Sequence, residues 1–262
     1  MERIKQALER AREQRQTGGA APAKPHLISE KPASIEYTHT QVKTVSAGHL
    51  HDHRIITPAE RDEFVDAYKI LRTQVLQRMK ENSWLSLAVT SPRYGEGKTT
   101  TAINLAVSLA MEVSHTVLLV DADLRHPMIH EHLGLAAGKG LTDYLLDDAH
   151  IPEILLQPRE LPKVVVLPAG RPVDNSAELL NSPKMVELIT EMRTRYPERL
   201  VVVDVPPVLS AADALAFAPY VDATLLVVED GGTSRDDLKR AVELLDCTNV
   251  IGTVLNKVHK PS

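Results

Sequence analysis

Six short apolar runs punctuate the chain from residue 85 onward: Leu85–Thr90, Thr116–Val120, Val164–Leu167, Leu200–Val203, Thr224–Val228 and Val250–Leu255. They are rich in β-branched residues and show little polar alternation, the pattern of strands covered on both faces. Amphipathic segments lie between them near 98–112, 176–195, 211–218 and 234–246. A strand–helix alternation of this kind predicts an α/β fold, a doubly wound, mainly parallel sheet with helices on both faces. Ligands of such folds bind beyond the carboxyl ends of the strands.

Upstream of residue 85 the pattern changes twice. Thr57-Pro58-Ala59-Glu60 reads as a helix start, with an N-cap Thr, Pro at the first position and a capping Glu, and predicts a helix to about Lys80. Residues 16–57 hold Gly, Pro, Ser, Thr and His with little periodicity and are expected to be a linker. Residues 1–15 place Ile4, Ala7, Leu8 and Ala11 on one side of a short helix, either a solvated helix or a docking helix for a partner. The expected division is therefore 1–57, helix and linker, and 58–262, the catalytic domain, with the first part dispensable for nucleotide binding.

Composition narrows the picture. Apolar residues make up 43% of the 262 and aromatic ones only 3%, so the core must come from Val, Leu, Ile and Ala. With 30 basic and 35 acidic residues the formal net charge is −5, which argues against a primary nucleic-acid binder. The single cysteine, Cys247, cannot form an internal disulfide, in keeping with a reducing cytoplasm. No apolar run is long enough to span a bilayer, and the N-terminus is too charged for a secretory signal. A cytoplasmic protein, held at the inner face of the membrane through a partner, is the expectation.

The chemistry starts at Ser91-Pro92-Arg93-Tyr94-Gly95-Glu96-Gly97-Lys98-Thr99-Thr100, between a predicted strand and a predicted helix. That is the context of a phosphate loop. Gly95 and Gly97 let the backbone curl so that its N–H groups, those of Glu96 and Thr100 among them, face phosphates. Lys98 supplies a point charge for the β and γ phosphates, and the Thr99 hydroxyl is a magnesium ligand. ATP and Mg2+ are the expected ligands. Pro92 stands where the usual motif has its first Gly.

Two further strands end in acid. Thr116–Val120 is followed by Asp121-Ala122-Asp123, whose carboxylates would share one side of an extended chain. They can serve magnesium, take the proton of an attacking hydroxyl, or merely cap the next helix. Leu200–Val203 ends in Asp204, the form of a magnesium-holding Walker B strand. Asn256, after the final run, is placed either to read the adenine edge or to form a turn. Lys98, Asp121, Asp123 and Asp204 are thus the catalytic candidates, with Thr99, Asp121 and Asp204 as metal ligands.

These motifs in this order resemble the bacterial tyrosine kinases of capsule and exopolysaccharide biosynthesis, over roughly residues 60–257. The resemblance rests on VLLVDADLRHPMIHEHLGL at 117–135, LPAGRPVDNSAELLNSPKM at 167–185, VVVDVPPVLSAADALAFAPYVDATLLVVE at 201–229 and the closing VLNKV. It implies transfer of the ATP γ-phosphate to tyrosine, with the roles above carried by Lys98, Thr99, Asp121, Asp123 and Asp204. It also implies a membrane polysaccharide co-polymerase, or chain-length determinant, as activating partner. Rings through the helix at 60–80 are implied too, where Asp66, Lys69 and Arg72 stand for the family's Glu, Arg and Arg. The family usually carries a C-terminal tyrosine cluster, whereas residues 257–262 hold no tyrosine. The tyrosines are Tyr37, Tyr68, Tyr94, Tyr144, Tyr196 and Tyr220, of which Tyr37 falls in the expected linker. An alternative is an ATPase switch of the ParA/MinD kind without kinase activity, with Arg93 at the place of their loop lysine.

Overall fold

The computed structural model describes residues 40–112, 115–195 and 199–258. These all fall within a single unit, Ala33–Ser262. The helix expected at 1–15 and Tyr37 lie outside the described residues.

Each apolar run is a strand. In chain order the strands are β1 (Gln41–Lys43), β2 (Ser86–Thr90), β3 (Thr116–Asp121), β4 (Leu156–Pro158), β5 (Val164–Leu167), β6 (Arg199–Asp204), β7 (Ala223–Glu229) and β8 (Val250–Asn256). They form one sheet in the order β1-β4-β5-β3-β6-β2-β7-β8. All pairings are parallel except β4 with β5. The helices are α1 (Ala47–Asp52), α2 (Glu63–Asn82), α3 (Lys98–Ala110), α4 (Ile129–His132), α5 (Leu141–Asp147), α6 (Ile151–Ile154), α7 (Ser176–Leu180), α8 (Pro183–Arg195), α9 (Asp213–Phe217) and α10 (Arg235–Leu244).

Alternate strand residues feed two separate cores, which is why the strands show no polar alternation. Leu87, Val89, Val117, Leu119, Val202 and Leu225 pack on one face, with Val75 and Met79 of α2 and Ile103 and Leu109 of α3. Ala88, Leu118, Val120, Val203 and Leu226 pack on the other, with Leu180, Leu188 and Phe217.

Two expectations about the N-terminal part need correction. Residues 41–56, expected in the linker, belong to the fold. β1 pairs in parallel with β4, and Val45, Leu50, Ile55 and Ile56 are buried in the α3 core. Three-residue strands and a six-residue helix are too short to show a period, so their burial was invisible in the sequence. The helix expected from Thr57 begins later. Thr57 N–H does donate to the Glu60 carboxylate at 2.9 Å, but this closes only a turn. The helix proper is capped by Asp62, whose carboxylate accepts from Val65 N–H at 2.8 Å.

Candidate functional site

The sheet brings its three chemistry-bearing strand ends together. Central β2 runs into the phosphate loop and then α3, while β6 pairs with both β2 and β3. In that register Asp121 and Asp204 are direct partners across β3 and β6.

Gly95 and Gly97 both adopt left-handed backbone, at φ 85° and 93°, the conformation glycine tolerates and other residues resist. At Gly97 space is decisive as well, because an added Cβ would stand 2.0 Å from Asn256 Nδ2. Asn256 Nδ2 donates to the Glu96 carbonyl at 2.9 Å, so the end of β8 braces the loop from behind. The buried Glu96 carboxylate is a second brace. It accepts from Arg93 N–H at 2.9 Å and from Thr233 Oγ1 at 2.6 Å. Glu96 and Asn256, named as nucleotide contacts in the sequence, thus use these polar atoms to shape the loop. Thr233 was missed altogether, since its β7–α10 position carries no motif.

Lys98 is buried and lies between two acids, with Nζ 2.8 Å from Asp123 Oδ2 and 3.3 Å from Asp204 Oδ2. Burial alone would push its pKa down, but the Asp204 and Asp123 carboxylates outweigh that and hold the ammonium above the ordinary lysine value. Thr99 Oγ1 donates to Asp204 Oδ2 at 2.6 Å. Burial and the neighbouring Asp123 push the Asp204 carboxyl up, against the opposing pull of Lys98 and Thr99.

Asp121 has a different setting. Its Oδ1 accepts from Asp123 N–H at 3.2 Å, and its Oδ2 from Met128 and Ile129 N–H at 3.2 and 3.0 Å. Burial, with Asp204 opposite, pushes it up to about 8. Asp123 continues the chain into the site, and its Oδ1 accepts from His126 N–H at 3.1 Å.

A cleft of about 340 Å³ opens above the loop. Gly95, Gly97, Lys98, Thr99, Thr100 and Asp123 form its floor. Tyr94, His126, Phe64, Tyr68 and His132 form much of the wall. Tyr94 and His126 meet edge to face at 5.0 Å. Arg93, the candidate cross-subunit residue, instead makes a bidentate pair with Asp237 at 2.8 Å.

The donor set suits Mg2+. A hydroxyl and a carboxylate stand in contact beside a phosphate cradle, and both are hard oxygen ligands. No group of three or more His, Cys, Asp or Glu among the described residues is arranged to hold a metal unaided. Mg2+ here would need phosphate and water to complete its shell, as it usually does.

Known proteins resemble this chain over most of its length. The family model described as the CobQ/CobB/MinD/ParA nucleotide binding domain matches residues 87–262. The chain is 36% identical over 193 residues to tyrosine-protein kinase YwqD of Bacillus subtilis, covering 73% of this chain and 80% of that protein. It is 33% identical over 210 residues to the succinoglycan biosynthesis transport protein ExoP of Rhizobium meliloti, 78% of this chain but 26% of that one. The solved kinase domain of the Escherichia coli tyrosine kinase ETK superposes with a TM-score of 0.72 at 26% identity, covering 85% of this chain and 90% of that one.

Proposed function

Since this chain belongs to the bacterial tyrosine kinases, within the CobQ/CobB/MinD/ParA nucleotide-binding family, we propose a division of labour among the residues of its site. The reaction is transfer of the ATP γ-phosphoryl group to a tyrosine hydroxyl, in the service of capsule or exopolysaccharide biosynthesis. The observation that carries it is the buried Lys98 ammonium shared by Asp123 and Asp204 beside Thr99.

The loop N–H groups and the positive end of α3 hold the phosphates, and Lys98 turns to the β and γ oxygens. Thr99 and Asp204 would hold Mg2+, whose charge would offset that of the phosphate oxygens. Engaging phosphate draws Lys98 away from Asp123, whose freed carboxylate then takes the phenolic proton. The tyrosine oxygen bonds to the γ-phosphorus, the bond to the bridging oxygen breaks, and ADP leaves. Between the two candidates for this base, Asp123 is favoured because it lines the cleft, whereas both Asp121 oxygens accept backbone N–H bonds. Asp121 holds the 123–129 loop in shape and so sets Asp123. The pairing of Arg93 with Asp237 weakens the alternative of a ParA/MinD-like switch.

The partner is a membrane polysaccharide co-polymerase, which brings the kinase to the membrane. No described helix is long and apolar enough to cross a bilayer. Self-association through α2 is part of the same reading, with Ile70 62% exposed on that helix. Lys69 pairs there with Asp66, while Arg72 turns inward to the Ser108 carbonyl and Glu112.

The test is incubation with Mg-ATP, with and without a co-polymerase cytoplasmic segment, and then phosphotyrosine mapping. Phosphotyrosine on this chain or on the partner, absent with Lys98→Ala, is the expected result. ATP hydrolysis with no phosphotyrosine on either would overturn the kinase reading.

A further inference from the structure

Three long cationic side chains line the cleft: Arg54, Lys98 and Lys257. Two of them are committed. Lys98 lies between Asp123 and Asp204, and Lys257 Nζ pairs with Glu229 at 3.0 Å. The nearby Arg93 and Arg125 are likewise paired, with Asp237 and Asp213. The Arg54 side chain makes no hydrogen bond or ion pair with any described residue, and only its backbone is engaged.

That backbone is held with care. Arg54 sits at φ 55°, a left-handed conformation unusual for a long side chain and a mark of a position the fold overdetermines. Its N–H donates to the His51 carbonyl at 2.9 Å. Asn104, fully buried in α3, donates to the Arg54 carbonyl at 2.8 Å and accepts from Ile56 N–H at 2.9 Å. Leu50, Ile55 and Ile56 bury the segment on either side. The helix that begins at the phosphate loop therefore fixes the place of this cation in the cleft wall.

Charge gives it a purpose. Asp123 and Asp204 flank the one buried ammonium of Lys98, and a triphosphate brings more negative charge. Lys98 is to be shared between the β and γ oxygens, so the terminal phosphate has room for a second cation from the wall of the same cleft.

We propose that Arg54 is a catalytic residue whose guanidinium engages the terminal phosphate of bound ATP and the charge that develops on it during transfer. This rests on the reading of the cleft as the ATP site. It brings into the active site a residue from a stretch whose sequence reads as linker.

The test uses the full chain with Arg54→Gly and Arg54→Lys. Glycine suits the left-handed backbone, so Arg54→Gly is expected to keep or raise the melting temperature. Calorimetry with Mg-ATP and Mg-ADP should show ATP affinity reduced about tenfold in Arg54→Gly and ADP affinity nearly unchanged. Single-turnover phosphotyrosine formation should fall by about 10²-fold or more, with partial retention in Arg54→Lys. Equal ATP-to-ADP preference and equal turnover in wild type and a folded Arg54→Gly would overturn this inference alone. Should Arg54→Gly melt early, the same comparison in Arg54→Lys decides, with full ATP preference and turnover counting against the proposal. A wild-type chain that binds neither nucleotide would overturn both the inference and the site reading beneath it.

Discussion

Strands β3 and β6 lie side by side, both are apolar throughout, and both end in an aspartate at the same register position. Yet the two carboxylates have unlike partners. Asp204 meets the Thr99 hydroxyl and the Lys98 ammonium, while Asp121 meets three backbone N–H groups of the segment just after it. The β6 end meets the charged and hydroxyl groups at the start of α3, and the β3 end beside it holds a loop. One acidic pattern in the sequence thus covers two settings, set apart by what meets each carboxylate: the start of α3 for Asp204, its own downstream loop for Asp121.

The comparison can be broken at several points. Lys98→Ala should have the largest effect, a loss of phosphotransfer on the order of 10³-fold or more, because it removes the positive charge that both sides of the site share. Radiolabelled ATP turnover measures it, and near-normal turnover would remove Lys98 from the mechanism. Next, Asp204→Asn should cost roughly 10²- to 10³-fold and weaken the Mg2+ dependence. Asp121→Asn keeps an acceptor oxygen for the loop and should lose only about tenfold or less. Equal losses in the two variants would mean that Asp121 also serves the metal. Leu50→Ala, in the segment expected to be linker, should cost about 2–5 kcal/mol of stability by leaving a cavity beside α3. Denaturant unfolding with no measurable change would return that segment to the linker.

A subtler test uses pH. The folded-state pKa of Asp121 is pushed up to about 8 from an ordinary 3.8, so the folded chain holds this proton where the unfolded chain has lost it. Its contribution to stability is complete below about pH 4 and disappears as pH rises through 8. The nucleotide-free protein should therefore lose melting temperature between pH 5 and 8, and Asp121→Asn should flatten that slope. An unchanged slope in the variant would assign it to other groups. Smallest of all, Arg93→Ala should leave the melting temperature nearly unchanged, since its pair with Asp237 lies at the surface.

Much of this was legible in the sequence, for reasons that also explain what was not. The six runs that became β2, β3, β5, β6, β7 and β8 are central or long, and except at the edge strand β8 their apolar content reflects burial on both faces. β1 and β4 have three residues each, and no period can be read from three. The helix expected at 176–195 is two helices, because Pro183 starts a new one after the turn at Asn181 and Ser182. Lys98 and Thr99 were readable from the spacing of the phosphate loop, and Asp123 and Asp204 as acids at or just after the ends of apolar strands. Arg54 and Thr233 reach the site through tertiary contacts alone, and no local spacing encodes those.

The contact between Gly97 and Asn256 also orders events during synthesis. The phosphate loop is translated early, but the amide that braces it belongs to the end of β8, more than half the chain later. β2 likewise waits for β6 and β7, its partners on either side. A chain still emerging from the ribosome thus carries the full loop sequence without the loop's final shape. The loop's brace is therefore complete only once the last strand has docked.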